Sequence, residues 1–310
     1  MSIANNSLDH LHAIVSIRSL VPDNAATAGT LGTVREGVGV RINADGLIAT
    51  IGYLCLEASE IWITGSNQQT VLGYIVAQDF ESGIALLLPS VELGQQYLPL
   101  GKLTSGEKGQ DLRILNGFDL PPFDCRLLSI SEFSGRWEYL IESALYTLPA
   151  CDNWGGAALL DDQHNVVGIG SLFLQFPSSS EKPVYGNLFV PTELLLPHLE
   201  SLIASGRRKT PPRPWIGAFV DEVGSGLEVV GLYTGSPASD AGLETGDRVL
   251  NFAGAPLKTL SGFLRTLWSQ GQAGTAIPIS LERDGEVYDT IIYTVDRADF
   301  FQEISIGGLN

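Results

Sequence analysis

Short apolar runs separated by turn residues make up the first half of the chain. Runs of about four to eight residues that are rich in β-branched side chains and bounded by glycine, asparagine or aspartate are typical of β-strands. The clearest are Gly39–Asn43, Leu47–Thr50, Val71–Val76, Ile84–Leu88 and Val166–Ile169. From about Ala13 to Leu172 this pattern predicts an all-β barrel or sandwich.

A helix and a linker are predicted after these strands. Leucines recur at helical spacing from Thr192 to Ala204, and Ser205-Gly206 ends the pattern. The basic cluster that follows lies among prolines, a composition typical of an extended linker. We therefore predict a linker over residues 205–213 with solvated basic side chains rather than a binding patch. The cluster consists of Arg207, Arg208, Lys209 and Arg213.

The pattern changes beyond the linker. One helical stretch, Leu260–Gln270, stands among several short strand-like segments. Several short strands with one or two helices in fewer than about 100 residues favour a small α+β module. The strand-like segments are Ala218–Val220, Leu227–Val230, Arg248–Phe252 and Ala276–Glu282.

Length and charge limit the domain number and the partners. A chain of 310 residues exceeds the usual size of one domain, and 44% hydrophobic content supports substantial cores. The formal net charge of −17 repels phosphate groups, which excludes nucleic acid and anionic membranes as partners. No apolar run of about 18 residues occurs, so no membrane-spanning helix is predicted.

Cysteine usage and the N-terminus predict a compartment. Cys55, Cys125 and Cys151 have no metal-ligand spacing, so we predict free thiols and neither a metal nor a cofactor. Residues 1–10 lack the basic start and apolar core of a secretory signal. The cytoplasm is the predicted location, with the periplasm as the alternative if a leader has been removed.

Several motifs of the first half resemble one protease family. Residues 30–200 resemble the chymotrypsin-fold domain of the HtrA/Deg serine proteases. The segment before Tyr53 is similar to the one leading to the catalytic histidine, and the segment around Gly83 to the one carrying the catalytic aspartate. Asn153–Gly156 is similar to the nucleophile loop, with Trp154 in place of serine. The matching stretches are Gly37–Val40, Asp45–Thr50, Asp79–Leu87, Leu98–Gly101, Asn153–Gly156 and Gly186–Pro191.

The second half resembles the PDZ domain of the same family. Gly235–Leu250 is similar to the family consensus around a short helix and the strand that follows it. The resemblance implies a mainly β protein, with a chymotrypsin-like double β-barrel followed by a small α+β PDZ domain. The predicted limits are 1–204 for the degenerate protease domain, 205–213 for the linker, 214–298 for the PDZ domain and 299–310 for a C-terminal tail.

The residues at the three catalytic positions cannot perform serine-protease chemistry. That chemistry needs a hydroxyl nucleophile, an imidazole base and a carboxylate that orients the base. Tyr53 is a poor base, Gly83 has no side chain and the Trp154 indole is not a nucleophile. Asp152 replaces a family glycine beside the oxyanion hole, where its charge would oppose a developing anion. The sequence therefore predicts a pseudoprotease, and we expect Trp154 to fill the vacated cleft.

Relocated chemistry is the alternative. None of His10, His12, His164 and His198 falls where a general base is expected, and the first two belong to a terminal segment. Cys151 precedes Trp154 by three residues, but the sequence supplies no base to activate it, so a structural thiol is favoured. A divergent serine endopeptidase with a relocated site nevertheless remains an alternative function.

The positive prediction concerns peptide binding. A PDZ domain adds a peptide C-terminus to a sheet edge while the backbone N–H groups of one loop hold its carboxylate. The matching loop comprises Trp215, Ile216, Gly217 and Ala218, and Leu264, Leu267 and Trp268 are candidates for the opposite wall, of which at least one belongs to the core. We predict an adaptor or scaffold that binds protein C-termini. A homo-oligomer, or a regulatory subunit of an active HtrA paralogue, is the remaining alternative.

Overall fold

Two compact units make up the molecule. The computed structural model describes residues 10–103, 105–177 and 182–301. The first unit holds the chain up to Glu132 and then Glu142–Lys209, and the second holds Phe133–Ile141 and the chain from Thr210 onward. The sequence prediction assigned residues 133–141 to the first domain, so the assignment of this segment differs.

Six antiparallel strands of the first unit close into a barrel. They are β1 Ile14–Leu20, β2 Val34–Arg41, β3 Ile48–Ile51, β4 Glu60–Thr64, β5 Thr70–Asp79 and β6 Ile84–Pro89. Their order is β1-β2-β3-β6-β5-β4, and β1 pairs with both β2 and β4. A short helix, α1 Ala28–Leu31, lies between β1 and β2. A closed barrel buries one face of every strand, which accounts for the alternation in β4. All four residues of β3 are buried.

A second barrel follows with the same number of strands. They are β7 Asp111–Leu115, β8 Phe123–Gly135, β9 Tyr139–Leu148, β10 Ala158–Leu160, β11 Val166–Phe176 and β12 Val184–Pro191. The order is β10-β11-β12-β9-β8-β7, and β10 pairs with both β7 and β11. The predicted chymotrypsin-like double barrel is thereby confirmed. Each strand predicted in this half overlaps an observed one.

The predicted helix over Thr192–Ala204 is shorter than expected. The chain makes two 3-10 turns, Thr192–Leu194 and Leu196–His198, before helix α2 at Leu199–Ser205. Pro197 has no N–H to donate, which disfavours a continuous helix through this point. Gly206, with φ +72°, caps α2 in the left-handed region.

Arg208 departs from the prediction of a solvated basic linker, whereas Arg207, Lys209 and Arg213 are exposed. Its guanidinium donates to both carboxylate oxygens of Asp79 at 2.8 and 2.7 Å and to Glu81 at 3.1 Å. The Asp79 side chain is only 3% exposed. Sequence composition could not reveal this pair because its members are 129 residues apart.

The second unit is a small α+β domain. Its five-stranded antiparallel sheet has the order β13-β14-β15-β16-β17, with β13 Ala218–Val223, β14 Gly226–Leu232, β15 Arg248–Phe252, β16 Ala276–Arg283 and β17 Glu286–Tyr293. Two helices, α3 Pro237–Asp240 and α4 Leu260–Ser269, accompany the sheet. Thr259 caps α4 by accepting from the Gly262 N–H. The order leaves β13 at an edge of the sheet.

Residues assigned to the C-terminal tail belong partly to this domain. Residues 297–301 are helical, and Phe301 is buried. The Phe300 and Phe301 rings lie 4.7 and 5.8 Å from the Trp215 ring. Apolar burial therefore includes residues up to 301, and residues 302–310 of the predicted tail lie outside the described part.

Candidate functional site

The first unit brings together the three positions that the resemblance assigned to a catalytic triad. Tyr53 lies in a 3-10 turn directly after β3, and the Gly52 N–H beside it donates to the Gly83 carbonyl at 2.7 Å. A Cβ built on Gly155 would lie 2.9 Å from the Tyr53 hydroxyl oxygen. Residues 53, 83 and 154 are therefore neighbours in space, and their catalytic ancestry stays a prediction.

Tyr53 is locked in place rather than available as a base. Its hydroxyl donates to the Ser171 carbonyl at 3.0 Å, and its side chain also hydrogen-bonds with that of Trp154. An indole N–H is a donor only, so the phenol oxygen is the acceptor in the second bond. Burial raises the pKa of Tyr53 well above its usual range, against the smaller lowering effect of Trp154. The phenol therefore stays neutral at any physiological pH.

Trp154 packs against an aromatic row. Its side chain is half-buried, and its ring centroid lies 5.2 Å from that of Phe173, which lies 5.3 Å from that of Tyr185. Together with the bond to Tyr53, this packing directs the indole into the fold. The expectation that Trp154 occupies the vacated cleft is in keeping with these contacts.

The nucleophile loop keeps a defined backbone. Gly156 has φ +80°, and its N–H donates to the Gly170 carbonyl at 2.8 Å. Asn153, with φ +55°, donates through its side-chain amide to the Asn116 carbonyl, and the Asn116 amide donates to the Asp152 carbonyl at 2.6 Å. Asp152 itself is exposed. The side-chain amides of Asn116 and Asn153 thus fix the backbone of the loop, which carries Trp154 and the exposed Asp152.

Cys151 is built into the interior. It is 2% exposed, and its N–H donates to the Asn187 side-chain oxygen at 2.7 Å. Burial, and secondarily the charge of Asp152, raise the pKa of the Cys151 thiol to about 12. Burial likewise raises the pKa values of Cys55 and Cys125 to about 12. A thiol that stays protonated is a weak nucleophile, which favours a structural role for all three.

Three of the four histidines, His10, His12 and His164, make side-chain contacts in the described part of the chain. His10 and His164 have ring centroids 4.3 Å apart, and His12 Nδ1 lies 2.9 Å from the Ser66 hydroxyl. Across residues 10–103, 105–177 and 182–301, no group of three or more His, Cys, Asp and Glu side chains is arranged to hold a metal ion. Over the same residues, no helix has the length and apolarity needed to cross a bilayer.

Three consecutive backbone N–H groups in the second unit converge on one carboxylate. The Ile216 N–H donates to Glu138 Oε2 at 3.1 Å, while the N–H groups of Gly217 and Ala218 donate to Oε1 at 2.6 and 3.2 Å. Gly217 has φ +75°, and a Cβ there would lie 2.3 Å from the Ser236 Cβ. Only glycine fits this close approach, so residues 216–218 form a rigid anion-binding loop.

Glu138 is almost fully buried in this loop. Its exposed fraction is 5%, and its backbone is left-handed, with φ +58°. Burial raises the pKa of Glu138 to about 7, although the loop N–H groups and the charge of Arg297 act in the opposite direction. The carboxylate therefore changes protonation close to neutral pH.

Comparisons with known proteins agree with the double barrel of the first unit and with the small α+β domain of the second. A PDZ domain model matches residues 214–293. A solved HtrA-type protease, AlgW with a tripeptide, superposes with a TM-score of 0.54 at 20% identity, covering 95% of this chain and 97% of that one. The chain has the HtrA-type architecture. A serine endoprotease from Yersinia pestis gives the same TM-score at 23% identity, covering 96% of this chain and 98% of that one.

Several curated proteins similar to this chain over most of its length are serine proteases by name. A probable periplasmic serine endoprotease, DegP-like, from Pseudomonas fulva is 26% identical over 287 residues, which is 86% of this chain and 57% of that protein. The serine protease Do-like HtrA of Bacillus subtilis is 25% identical over 249 residues, covering 72% and 52% respectively. The chain spans slightly more than half the length of these relatives.

The predicted PDZ residues of the HtrA-type chain fall into separate environments. Ile216, Gly217 and Ala218 supply the N–H groups at the carboxylate. Trp215 instead exchanges two backbone hydrogen bonds of 3.1 Å with Val295, and its side chain is 3% exposed among aromatic rings. Its predicted ligand role is therefore replaced by a packing role.

The helix residues proposed for the opposite wall lie in or beside the hydrophobic cluster of the second unit. Leu264 and Leu267 are completely buried in it. Trp268 is partly buried and packs against the same cluster, with the Arg213 guanidinium 4.5 Å from its ring centroid. Their role as walls of a peptide groove stays a prediction.

Glu138 was missed by sequence reasoning. The only local signal is an acidic residue inside an aromatic turn, Phe133 to Tyr139, and many exposed turns share that composition. Its partner loop is more than 75 residues away in the chain. No local pattern specifies such a pairing.

Proposed function

We propose that this chain is a catalytically inactive HtrA-type protein that binds polypeptide segments through its PDZ domain and acts as an adaptor or scaffold. The observation that supports the proposal is the proximity of Tyr53, Gly83 and Trp154, the three positions that the HtrA resemblance assigns to the catalytic triad. None of the three side chains can accept the nucleophile's proton, orient a base or attack a carbonyl.

The retained binding loop supports the positive half of the proposal. Ile216, Gly217 and Ala218 direct their N–H groups at a single carboxylate, which is the arrangement that captures a peptide C-terminus. The neighbouring strand β13 lies at the sheet edge, where an extended peptide can add. The solved structure of one similar protein, the HtrA-type protease AlgW, includes a tripeptide.

The experiment combines an activity test and a binding test on the full chain. A fluorophosphonate probe and unfolded casein report serine-hydrolase activity, and a labelled peptide pool with free C-termini reports binding. The proposal expects no labelling, no hydrolysis and saturable peptide binding. Labelling at a mapped residue would establish instead the divergent serine endopeptidase, the alternative favoured by the names of the relatives.

The assembly alternative has its own readout. A chain that regulates an active HtrA paralogue would co-purify with that protease and change its rate of casein hydrolysis. A homo-oligomer would instead elute above the 33.2 kDa of one chain in sizing experiments.

The relatives' names bear on the compartment. The Pseudomonas relatives are named periplasmic, whereas the comparisons offer no support for the predicted cytoplasmic location. We infer a periplasmic compartment for this chain, which fractionation of the native host tests directly.

A further inference from the structure

Residues 133–141 make the contacts that a bound peptide would make with the PDZ groove. This segment joins β8 to β9 and belongs to the second unit. The inference drawn from it rests on the proposed peptide-binding role of residues 216–218. Three independent sets of contacts support it.

The first contact is the carboxylate. Both oxygens of Glu138 accept from the loop N–H groups, so the side chain takes the place of a terminal carboxylate. All three donors are satisfied by this one group. An incoming peptide cannot use the same donors until Glu138 leaves.

The second contact is along the edge strand. The Val220 N–H of β13 donates to the Arg136 carbonyl at 3.1 Å. Main-chain bonding to a sheet edge is the way a peptide ligand extends a PDZ sheet. The backbone of residues 136–138 therefore occupies part of the position that an added strand requires.

The third contact is apolar. Leu140 is 8% exposed and belongs to the same hydrophobic cluster as Ile216, Leu264 and Leu267. Its side chain fills apolar volume beside the loop that the last side chain of a peptide would otherwise fill. The Glu138 carboxylate thus takes the place of the peptide's terminal carboxylate, and Leu140 takes the place of its last apolar side chain.

Backbone geometry indicates that the segment is held by these contacts. Glu138 has φ +58°, a left-handed conformation that is unfavourable for a non-glycine residue. Such a conformation persists where surrounding interactions over-determine it. The Trp137 and Tyr139 rings flank it in a stacked arrangement, with centroids 5.9 Å apart.

We propose that residues 133–141 are a built-in competing ligand of the PDZ groove, so that a peptide C-terminus binds only by displacing Glu138. The displacing ligand is a polypeptide with a free α-carboxylate, which replaces the Glu138 carboxylate, and an apolar last side chain, which replaces Leu140. An intramolecular ligand acts at an effective concentration in the millimolar range, so displacement weakens apparent peptide affinity without abolishing it.

The test compares peptide affinity among full-length variants. The probe is a fluorescein-labelled heptapeptide pool of random sequence ending in leucine with a free carboxylate, and its amidated form is the ligand control. Glu138→Ala is expected to raise the affinity for the free-carboxylate pool by about tenfold or more, because the internal competitor is lost. Alanine and glutamate both disfavour a left-handed backbone, so the variant removes the side chain beyond Cβ, carboxylate included, without a new backbone preference.

Two further variants control the comparison. Glu138→Gln keeps the shape and one acceptor oxygen, so an intermediate affinity is expected. Glu286→Ala removes an exposed carboxylate from β17 of the same unit and should match the wild type. Thermal melting of each variant checks that the domain is folded.

Hydrogen exchange separates this inference from the proposed function. In Glu138→Ala the amides of residues 216–218 and Val220 should exchange faster than in the wild type, whether or not any peptide binds. If no variant binds the pool but exchange accelerates, the internal ligand stands and the proposed external binding fails. Measurable peptide binding of equal affinity in wild type and Glu138→Ala, or unchanged exchange at these amides, overturns the inference.

Discussion

Tyr53 lies against Gly155 so closely that a single added Cβ on Gly155 would come within 2.9 Å of the tyrosine hydroxyl. The HtrA resemblance assigns position 53 to the catalytic histidine and Gly155 to the nucleophile loop, and the contact brings these two positions together. The Tyr53 hydroxyl is hydrogen-bonded to the Ser171 carbonyl and to Trp154.

Restoring the nucleophile alone should not restore activity. Trp154→Ser supplies a hydroxyl, but neither Tyr53 nor Gly83 can activate it, so we expect no fluorophosphonate labelling and no casein hydrolysis above background. Even aspartate at position 83 would be strained, because Gly83 has φ +79°. Labelling of Trp154→Ser at residue 154 would reveal a base that lies elsewhere in the fold.

Peptide affinity should rise with pH if Glu138 competes for the groove. Docked Glu138 has a pKa of about 7, above the ordinary value of 4.5, so docking holds a proton and is strongest at acidic pH. Between about pH 5 and pH 8 its docking weakens, and the apparent affinity of the free-carboxylate pool should increase by about tenfold. The measurement is a fluorescence-anisotropy titration at each pH.

The charged and titratable neighbours of Glu138 support this assignment. Arg297 acts directly on Glu138, and Tyr139 and Tyr233 lie beside Arg297. Arginine and tyrosine side chains do not ordinarily titrate in this range. Glu138→Gln should therefore give a flat profile, and a wild-type slope retained in that variant would assign the pH dependence to another group.

Gly156 is expected to be intolerant of substitution. Its φ is +80°, and a Cβ would lie 1.9 Å from the Val38 carbonyl oxygen. Gly156→Ala should reduce the free energy of unfolding by about 3 kcal/mol or more, because both backbone strain and a backbone clash are introduced. Gly46→Ala is the matched control, since Gly46 has φ +82° with nothing near the added Cβ, and should cost about 1 kcal/mol. Urea denaturation gives both values.

The Arg208–Asp79 pair should contribute to the stability of the first unit. Arg208→Ala leaves the nearly buried Asp79 carboxylate without its guanidinium, so we expect a loss of about 3 kcal/mol in the free energy of unfolding. Arg18→Ala removes the ion pair between Arg18 and Glu36, whose two side chains are 60% and 66% exposed. This variant should change the free energy of unfolding by less than about 0.5 kcal/mol. Similar losses for the two variants would contradict the burial of Arg208.

The cysteines should resist alkylation in the folded protein. Cys55, Cys125 and Cys151 are buried thiols with pKa values of about 12. Maleimide at neutral pH should therefore label none of them until urea is added, and mass spectrometry then counts three adducts. Rapid native labelling of Cys151 would revive it as a candidate nucleophile.

Local sequence patterns predicted much of the architecture. Apolar runs bounded by turn residues predicted the barrel strands, because the alternation and burial of a strand are visible in residues that are neighbours in the sequence. The PDZ consensus at Gly235–Leu250 identified the second domain, and the loop Trp215–Ala218 was predicted from its match to the loop of that family's PDZ domain. The replacement of the triad stays a prediction, which rests on the residue type at positions such as Trp154.

Tertiary structure decided the pairings between distant segments. The sequence by itself determined which backbone loop can hold a carboxylate, but only the fold placed Glu138 there, 79 residues before Gly217. It also paired Arg208 with Asp79 and moved Leu264 into the core. Side-chain partners of this kind depend on the meeting of chain segments that share no local pattern, and burial then fixes both their geometry and their pKa values.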